Sequence, residues 1–213
     1  MTKSGFHKFA AASLVLGLFC GTAAAVTVTP LSYSFDRSTA CGTWCYHDPG
    51  RSKLTDGIFG TAGWAANSGQ EWVGWVYQDV VNVDFDFGTR RRIDQIRVGT
   101  TQDNLADVVI PSISVYSSDD GTRWTFLQSL VVPPSSSNDV DAYSTLPHGF
   151  LSLDGLAADA RYVRVAAMRN GPWTFMDEVQ FTALSPTPAP EPFSLSLLGI
   201  GLAALGAALR KRS

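Results

Sequence analysis

The chain has 213 residues, 45% of them hydrophobic and 16% charged, with a formal net charge of −3. Its 19 glycines and 11 prolines are close to the average share of roughly 12%, which excludes a collagen-like or low-complexity chain. The apolar content can bury the core of one sizeable domain, which excludes a disordered polyanion or a basic nucleic-acid-binding tail.

In chain order, residues 1–25 read as a secretory signal peptide. Lys3 and Lys8 form a basic start, Phe9 to Gly21 is an apolar run too short for a permanent anchor, and Thr22-Ala23-Ala24-Ala25 offers a small-residue cleavage site. Cys20 follows a bulky Phe19, which argues against lipoprotein processing. Cys41 and Cys45, in the run Cys-Gly-Thr-Trp-Cys, are then exported to an oxidising compartment, where a local disulfide stapling the N-terminal loop is expected. A redox pair or a zinc site is the alternative reading. Zinc needs two further ligands, and His47 and His148 are the histidines outside the signal peptide.

The middle of the chain, residues 26–184, is expected to be an all-β domain. Val81, Val83, Phe85 and Phe87 alternate with Asn82, Asp84 and Asp86, the period of a half-buried strand. Gly88 to Arg92 is expected to turn the chain before Ile93–Val98 resumes it. Ile113–Tyr116 is the next strand, and Asp120-Gly121 a hairpin turn leading to a return strand over Trp124–Val131. Pro133 to Asn138 reads as a loop, Arg161–Val165 alternates again, and Asp177–Phe181 closes the domain. Short strands at this spacing, with no convincing helix between them, point to an antiparallel β-sandwich.

Residues 185–192 form a Pro-rich, extended linker. Phe193 to Leu209 is an apolar run of about 17 residues, the lower edge of a membrane-spanning helix, and Arg210-Lys211-Arg212 is a positive-inside stop. Without Lys3, Lys8, Arg210, Lys211 and Arg212 the 16 basic residues fall to 11, and without Glu191 the 19 acids fall to 18, a net −7 for the mature domain. An acidic domain repels phosphate backbones, so nucleic acid is not an expected partner.

The order Pro190-Glu191-Pro192, apolar run, basic cluster resembles the PEP-CTERM sorting signal of Gram-negative bacteria. The resemblance implies transient anchoring of residues 193–213 in the inner membrane and cleavage near the Pro-Glu-Pro by an exosortase-type enzyme. Release or attachment at the cell surface or in the extracellular matrix would follow. That signal is associated with exopolysaccharide and biofilm production. An ordinary anchor that is never cut is the alternative.

A second resemblance spans residues 33–184. Leu54-Thr55-Asp56-Gly57 with Thr61 and Trp64 comes first, then Val83–Gly88 and Ile93–Val98. Tyr116–Gly121 with Trp124, Arg161–Val165, and Trp173 with Asp177-Glu178-Val179 follow. This order resembles a discoidin-like (factor V/VIII type C) domain, an all-β jelly roll of the galactose-binding-like fold. The resemblance implies a structural calcium ion held by Asp56, Thr61 and Glu178, in keeping with the six to eight oxygen ligands calcium takes. Ile58-Phe59-Gly60 stands where many relatives carry polar residues, so ligands there must be backbone carbonyls.

Discoidin-like modules bind sugars or membrane headgroups through loops at one end of the sandwich. A sugar site needs aromatic faces and polar forks. Trp44, Tyr46, Trp72, Trp75, Tyr77 and Trp173 are the loop aromatics, and Trp64 and Trp124 read as core. Trp72, Trp75 and Tyr77 are the expected platform, because Glu71, Gly74 and Gln78 suggest exposure, with His47, Asp48, Arg51, Gln70, Arg169 and Asn170 as polar partners, Arg169 and Asn170 foremost. Arg90-Arg91-Arg92 reads as a solvated turn, or alternatively as a contact for an acidic polysaccharide. No nucleophile motif such as Gly-x-Ser-x-Gly is present, and a compact sandwich offers no deep cleft for paired carboxylates, so no catalysis is expected. The expectation is an exported, non-catalytic module binding extracellular polysaccharide, the rival being a structural matrix or adhesion protein that binds other proteins.

Overall fold

The computed structural model describes residues 25–184 other than 60, 61 and 147. Residues 1–24, the Pro190-Glu191-Pro192 motif and the apolar C-terminal run lie outside the described residues. Among the described residues nine strands carry the fold: β1 Ala25–Thr27, β2 Ser32–Phe35, β3 Val73–Val76, β4 Val80–Gly99, β5 Ser112–Ser118, β6 Thr125–Leu130, β7 Phe150–Met168, β8 Trp173–Met176 and β9 Val179–Leu184. The helical segments among the described residues are three short 3₁₀ turns.

The strands pair antiparallel in the order β1-β9-β4-β7-β5-β6, with β2 also on β4 and a separate β3-β8 pair. β4 and β7 run alongside each other for nearly their whole length, with register shifts between Asp86 and Arg91 and between Ile93 and Gln95. β2 joins the first half of β4, and β9 joins the second half. β5 pairs with the last seven residues of β7. The long strands thus serve two layers, and the layers meet in an apolar core. Phe85 of one packs edge-on against Phe181 of the other at 4.9 Å, and Phe87 does the same at 5.1 Å. The result is an all-β antiparallel sandwich.

The alternation in Val81–Phe87 appears as expected, with Val81, Val83, Phe85 and Phe87 all buried. The expected break at Gly88–Arg92 is instead a bulged continuation of one strand, in which Gly88 has φ +73°. A side chain there would also meet Leu31 at 2.4 Å. Arg90-Arg91-Arg92 lies on this exposed stretch, where Arg90 pairs with Asp119 and Asp159, and Arg92 with Asp94. Asp120-Gly121 makes its hairpin turn: the Asp120 carboxylate accepts the N–H groups of Thr122 and Arg123, and Gly121 takes φ +71°.

Because β4 and β7 fold back on themselves, the two ends of each lie at one end of the sandwich. The connections that leave this end, residues 36–72, 100–111, 131–149 and 169–172, are bound to one another. Gly63 and Ala65 donate to Ser144 and Ala142, and Val140 donates to the Gln102 carbonyl. Gly63 permits the first contact, since a Cβ would sit 2.4 Å from the Ala142 carbonyl oxygen.

Candidate functional site

Two constellations lie on this end. The first is acidic. Leu54 is buried in the core and anchors the turn Lys53–Thr55, so that Asp56 caps it and Gly57 follows with φ +84°. The Asp56 carboxylate accepts from the Ile58 N–H at 2.8 Å, and Glu178 accepts from the Gly57 N–H at 3.2 Å. Glu178 is 3% exposed. Burial pushes its carboxyl up to about 7, against the Gly57 N–H and with the help of the neighbouring Asp56 and Asp177 carboxylates. Burial and the charges of Asp177 and Asp48 likewise raise Asp56. A crevice of about 180 Å³ opens beside the pair, lined also by Thr27, Thr29 and Thr55.

Asp177 is fixed from two sides. His148 Nε2 lies 3.0 Å from its carboxylate, both side chains being buried, and a Cβ at Gly99 would fall 1.9 Å from Asp177 Oδ1. Asp56 and Glu178 are therefore brought together although Gly57, beside Asp56, stands 121 residues before Glu178 in sequence, while Thr61 lies outside the described residues. A buried carboxylate beside a second, both raised by their surroundings and next to an open crevice, has the donor chemistry of a hard divalent cation. Among the described residues, the one group of three His, Cys, Asp or Glu ligand atoms within 4.8 Å of one another is Cys41, Cys45 and His47. It is no zinc site, since Cys41 and Cys45 are joined in a disulfide.

The second constellation is aromatic, and here the structure corrects the expected platform. Trp72 is 0% and Trp75 is 1% exposed. They flank and belong to β3, which pairs with β8 and closes over the core. Trp75 packs edge-on to Phe35 at 5.4 Å and donates its indole N–H to the Arg37 carbonyl. Trp72 lies against His148 at 4.4 Å and against Phe175. Gly74, which suggested exposure, is itself buried, because Phe175 and Tyr46 approach within 2.4 Å and 3.0 Å of where a Cβ would stand. Tyr77 is exposed at 70%. Arg169 and Asn170 are occupied by the scaffold. Arg169 pairs with Asp79 at 2.8 Å, and the Asn170 amide donates to the Ile110 and Val132 carbonyls, tying two loops together.

The aromatics that reach solvent are others. Trp44 projects from the stapled loop at 41% exposure and meets Trp64 edge-on at 6.3 Å. Trp64 and Trp173, both half-buried, lie nearly parallel to the Phe175 ring at 5.7 Å and 5.3 Å. Tyr46 packs beneath, with burial and the nearby Tyr143 and Asp107 pushing its hydroxyl up to about 12. Trp64 donates its indole N–H to Asp103 at 3.1 Å. Burial and the charge of Asp103 raise the carboxyl of Asp107. Trp44, Trp64 and Trp173, rimmed by Asp103, Asp107 and the exposed Tyr143, thus combine aromatic surface with oxygen acceptors. Trp64 belongs to this cluster rather than to the main core, and the Trp124 ring lies on the sheet's outer face beneath Arg164 at 4.0 Å.

Comparison with known proteins agrees with the fold. The F5/8 type C domain model matches residues 36–179, about two-thirds of the chain. The chain belongs to the F5/8 type C domain family. Among solved structures, the C-terminal domain of a chitobiase from Bacteroides fragilis is 15% identical with a TM-score of 0.51, the match covering 76% of this chain and 100% of that one. A truncated AlyQ with CBM32 and alginate lyase domains is 15% identical with a TM-score of 0.50, over 79% of this chain but 36% of that protein. No curated protein matches the chain in sequence.

Proposed function

We propose that this F5/8 type C domain is a non-catalytic carbohydrate-binding module whose saccharide rests on Trp44, Trp64 and Trp173. The observation that carries the reading is the partly exposed aromatic cluster beside Asp103, Asp107 and Tyr143. Aromatic faces take the C–H side of a pyranose while carboxylates and a phenol accept its hydroxyl protons. The presence of a CBM32 domain in a structure of the same fold is in keeping with it. Asp56 and Glu178 would hold a calcium ion that ties the turn at Lys53–Thr55 to the start of β9. Calcium would supply charge neutralisation there and no chemistry toward the sugar.

The sequence features at the two ends extend the proposal to location. A signal peptide at 1–25 and a PEP-CTERM-like tail with Pro190-Glu191-Pro192 would export the domain. An exosortase-type enzyme would then process it at the inner membrane and deliver it to extracellular polysaccharide at the cell surface or biofilm matrix. The disulfide between Cys41 and Cys45 suits such a compartment. A glycan array tests the binding role. Trp44→Ala and Trp173→Ala are each expected to lower saccharide affinity at least about ten-fold. Binding that survives both substitutions, or a folded protein that binds proteins of the matrix and no glycan, refutes the site or the role respectively.

A further inference from the structure

The stapled loop contributes Trp44 to the aromatic cluster and His47 to a different feature. An open pocket of about 360 Å³ lies between the end of β2 and residues 47–51, lined by Phe35, Arg37, Thr39, His47, Asp48 and Arg51. Its lining carries two arginines, Arg37 and Arg51, beside two aspartates, Asp36 and Asp48. Among the described residues the salt-bridged arginines are 90, 92, 161, 164 and 169, and neither Arg37 nor Arg51 is one of them. The acids at the pocket are turned to other partners. Asp48 accepts the Tyr33 hydroxyl and the Ser52 N–H, and Asp36 accepts the N–H and side-chain amide of Asn82.

Arg51 and His47 are held in place. Arg51 takes the left-handed conformation, φ +52°. Its guanidinium stacks 3.6 Å above the Phe35 ring and donates to the Asp48 carbonyl, which uses one of its five N–H donors. His47 is tied to Thr39 at 2.6 Å, across the loop that the disulfide closes. A non-glycine residue held at positive φ with a stacked, singly bonded guanidinium is pre-organised for a planar anion.

We infer that the Arg37–His47–Arg51 pocket is an anionic subsite that recognises the carboxylate of a uronic acid residue. It rests on the carbohydrate-binding reading, whose aromatic site is separate, and it names the sugar class. In Arg90-Arg91-Arg92, the basic run prominent in sequence, Arg90 and Arg92 are paired with aspartates.

The test uses the full chain in mild detergent, titrated calorimetrically with oligogalacturonate and with its methyl ester, which keeps the ring and removes the charge. The acid is expected to bind at least about ten-fold more tightly than the ester at low salt, a preference that shrinks several-fold as sodium chloride is raised to 0.3 M. Arg37→Ala and Arg51→Ala each reduce the preference, and Arg37→Glu abolishes it, while affinity for the ester stays unchanged. The Arg37 side chain is exposed and no hydrogen bond or ion pair among the described residues uses it, so its variants report on binding without loss of fold. Equal affinity for acid and ester, or a preference that survives Arg37→Glu, overturns the inference and leaves the carbohydrate-binding role standing. Tighter binding of a sulfated oligosaccharide than of oligogalacturonate overturns the carboxylate assignment. Failure of every saccharide to bind the folded protein overturns the inference and the proposed function together.

Discussion

Replacing Glu178 by Gln removes the charge that the acidic crevice has to accommodate. The ordinary glutamate value is 4.5, and burial together with Asp56 and Asp177 lifts Glu178 to about 7 in the folded chain. At 1.36 kcal/mol for each pH unit, that gap makes ionised Glu178 cost the metal-free fold about 3 kcal/mol. The sign follows from the direction. Below 4.5 the carboxyl is protonated whether the chain is folded or not, and nothing is lost. As pH rises the unfolded chain releases the proton first, so the penalty grows and is complete above about 7. For a domain of this size about 3 kcal/mol corresponds to a fall of about 6–12 °C in Tm. Thermal unfolding in chelator should therefore show stability declining between pH 5 and 8, and Glu178→Gln should flatten most of that decline. Calcium binding the native state at a hundred times its Kd should restore about 2.7 kcal/mol at pH 8 in the wild type and much less in the variant. A pH profile in chelator that Glu178→Gln leaves unaltered, with a calcium response equal in both proteins, would refute the crevice as a cation site.

Other expectations concern the residues that the structure moved from the binding surface to the interior. Trp75→Ala empties a fully buried position in the core and should cost about 3–5 kcal/mol, read by chemical denaturation; a change below about 1 kcal/mol would contradict the packing. Asn170→Ala strips the amide that satisfies the Ile110 and Val132 carbonyls and should destabilise by about 2–4 kcal/mol. A loss of glycan binding without that destabilisation would return Asn170 to the ligand site. Replacing both Cys41 and Cys45 by Ser opens a very short loop, for which chain entropy gives about 2 kcal/mol. The same change should weaken saccharide binding by loosening Trp44, so melting curves and affinity are expected to fall together.

What the sequence disclosed, and what it withheld, follows from where each element sits. Val81–Phe87 is legible because one face of β4 is buried and the other carries Asp84 and Asp86, bonded to Arg164 and Arg161, so the period of two survives in the residue types. β3 and β8 are nearly all buried, and with polar and apolar faces lost their alternation disappears. The N-terminal half of β7 is interrupted by Gly155 and Ala157, both at positive φ, which hid a strand whose Leu151 and Leu153 do alternate. The pairing of Asp56 with Glu178 emerged through the order of family motifs, since no local pattern links residues so far apart. Asp177 with His148 had no signal at all, because a buried acid and a histidine in a loop look like any others. The tryptophans show the limit most clearly. Composition cannot tell a core indole from an exposed one, and Glu71, Gly74 and Gln78 pointed the wrong way because Gly74 marks close packing rather than a turn. Yet one clue to Trp44 was present. A residue between two cysteines that close so short a ring has no room to fold its side chain back under its own backbone. The Cys-Gly-Thr-Trp-Cys spacing therefore already requires the indole to leave the loop, and in the structure it leaves toward Trp64.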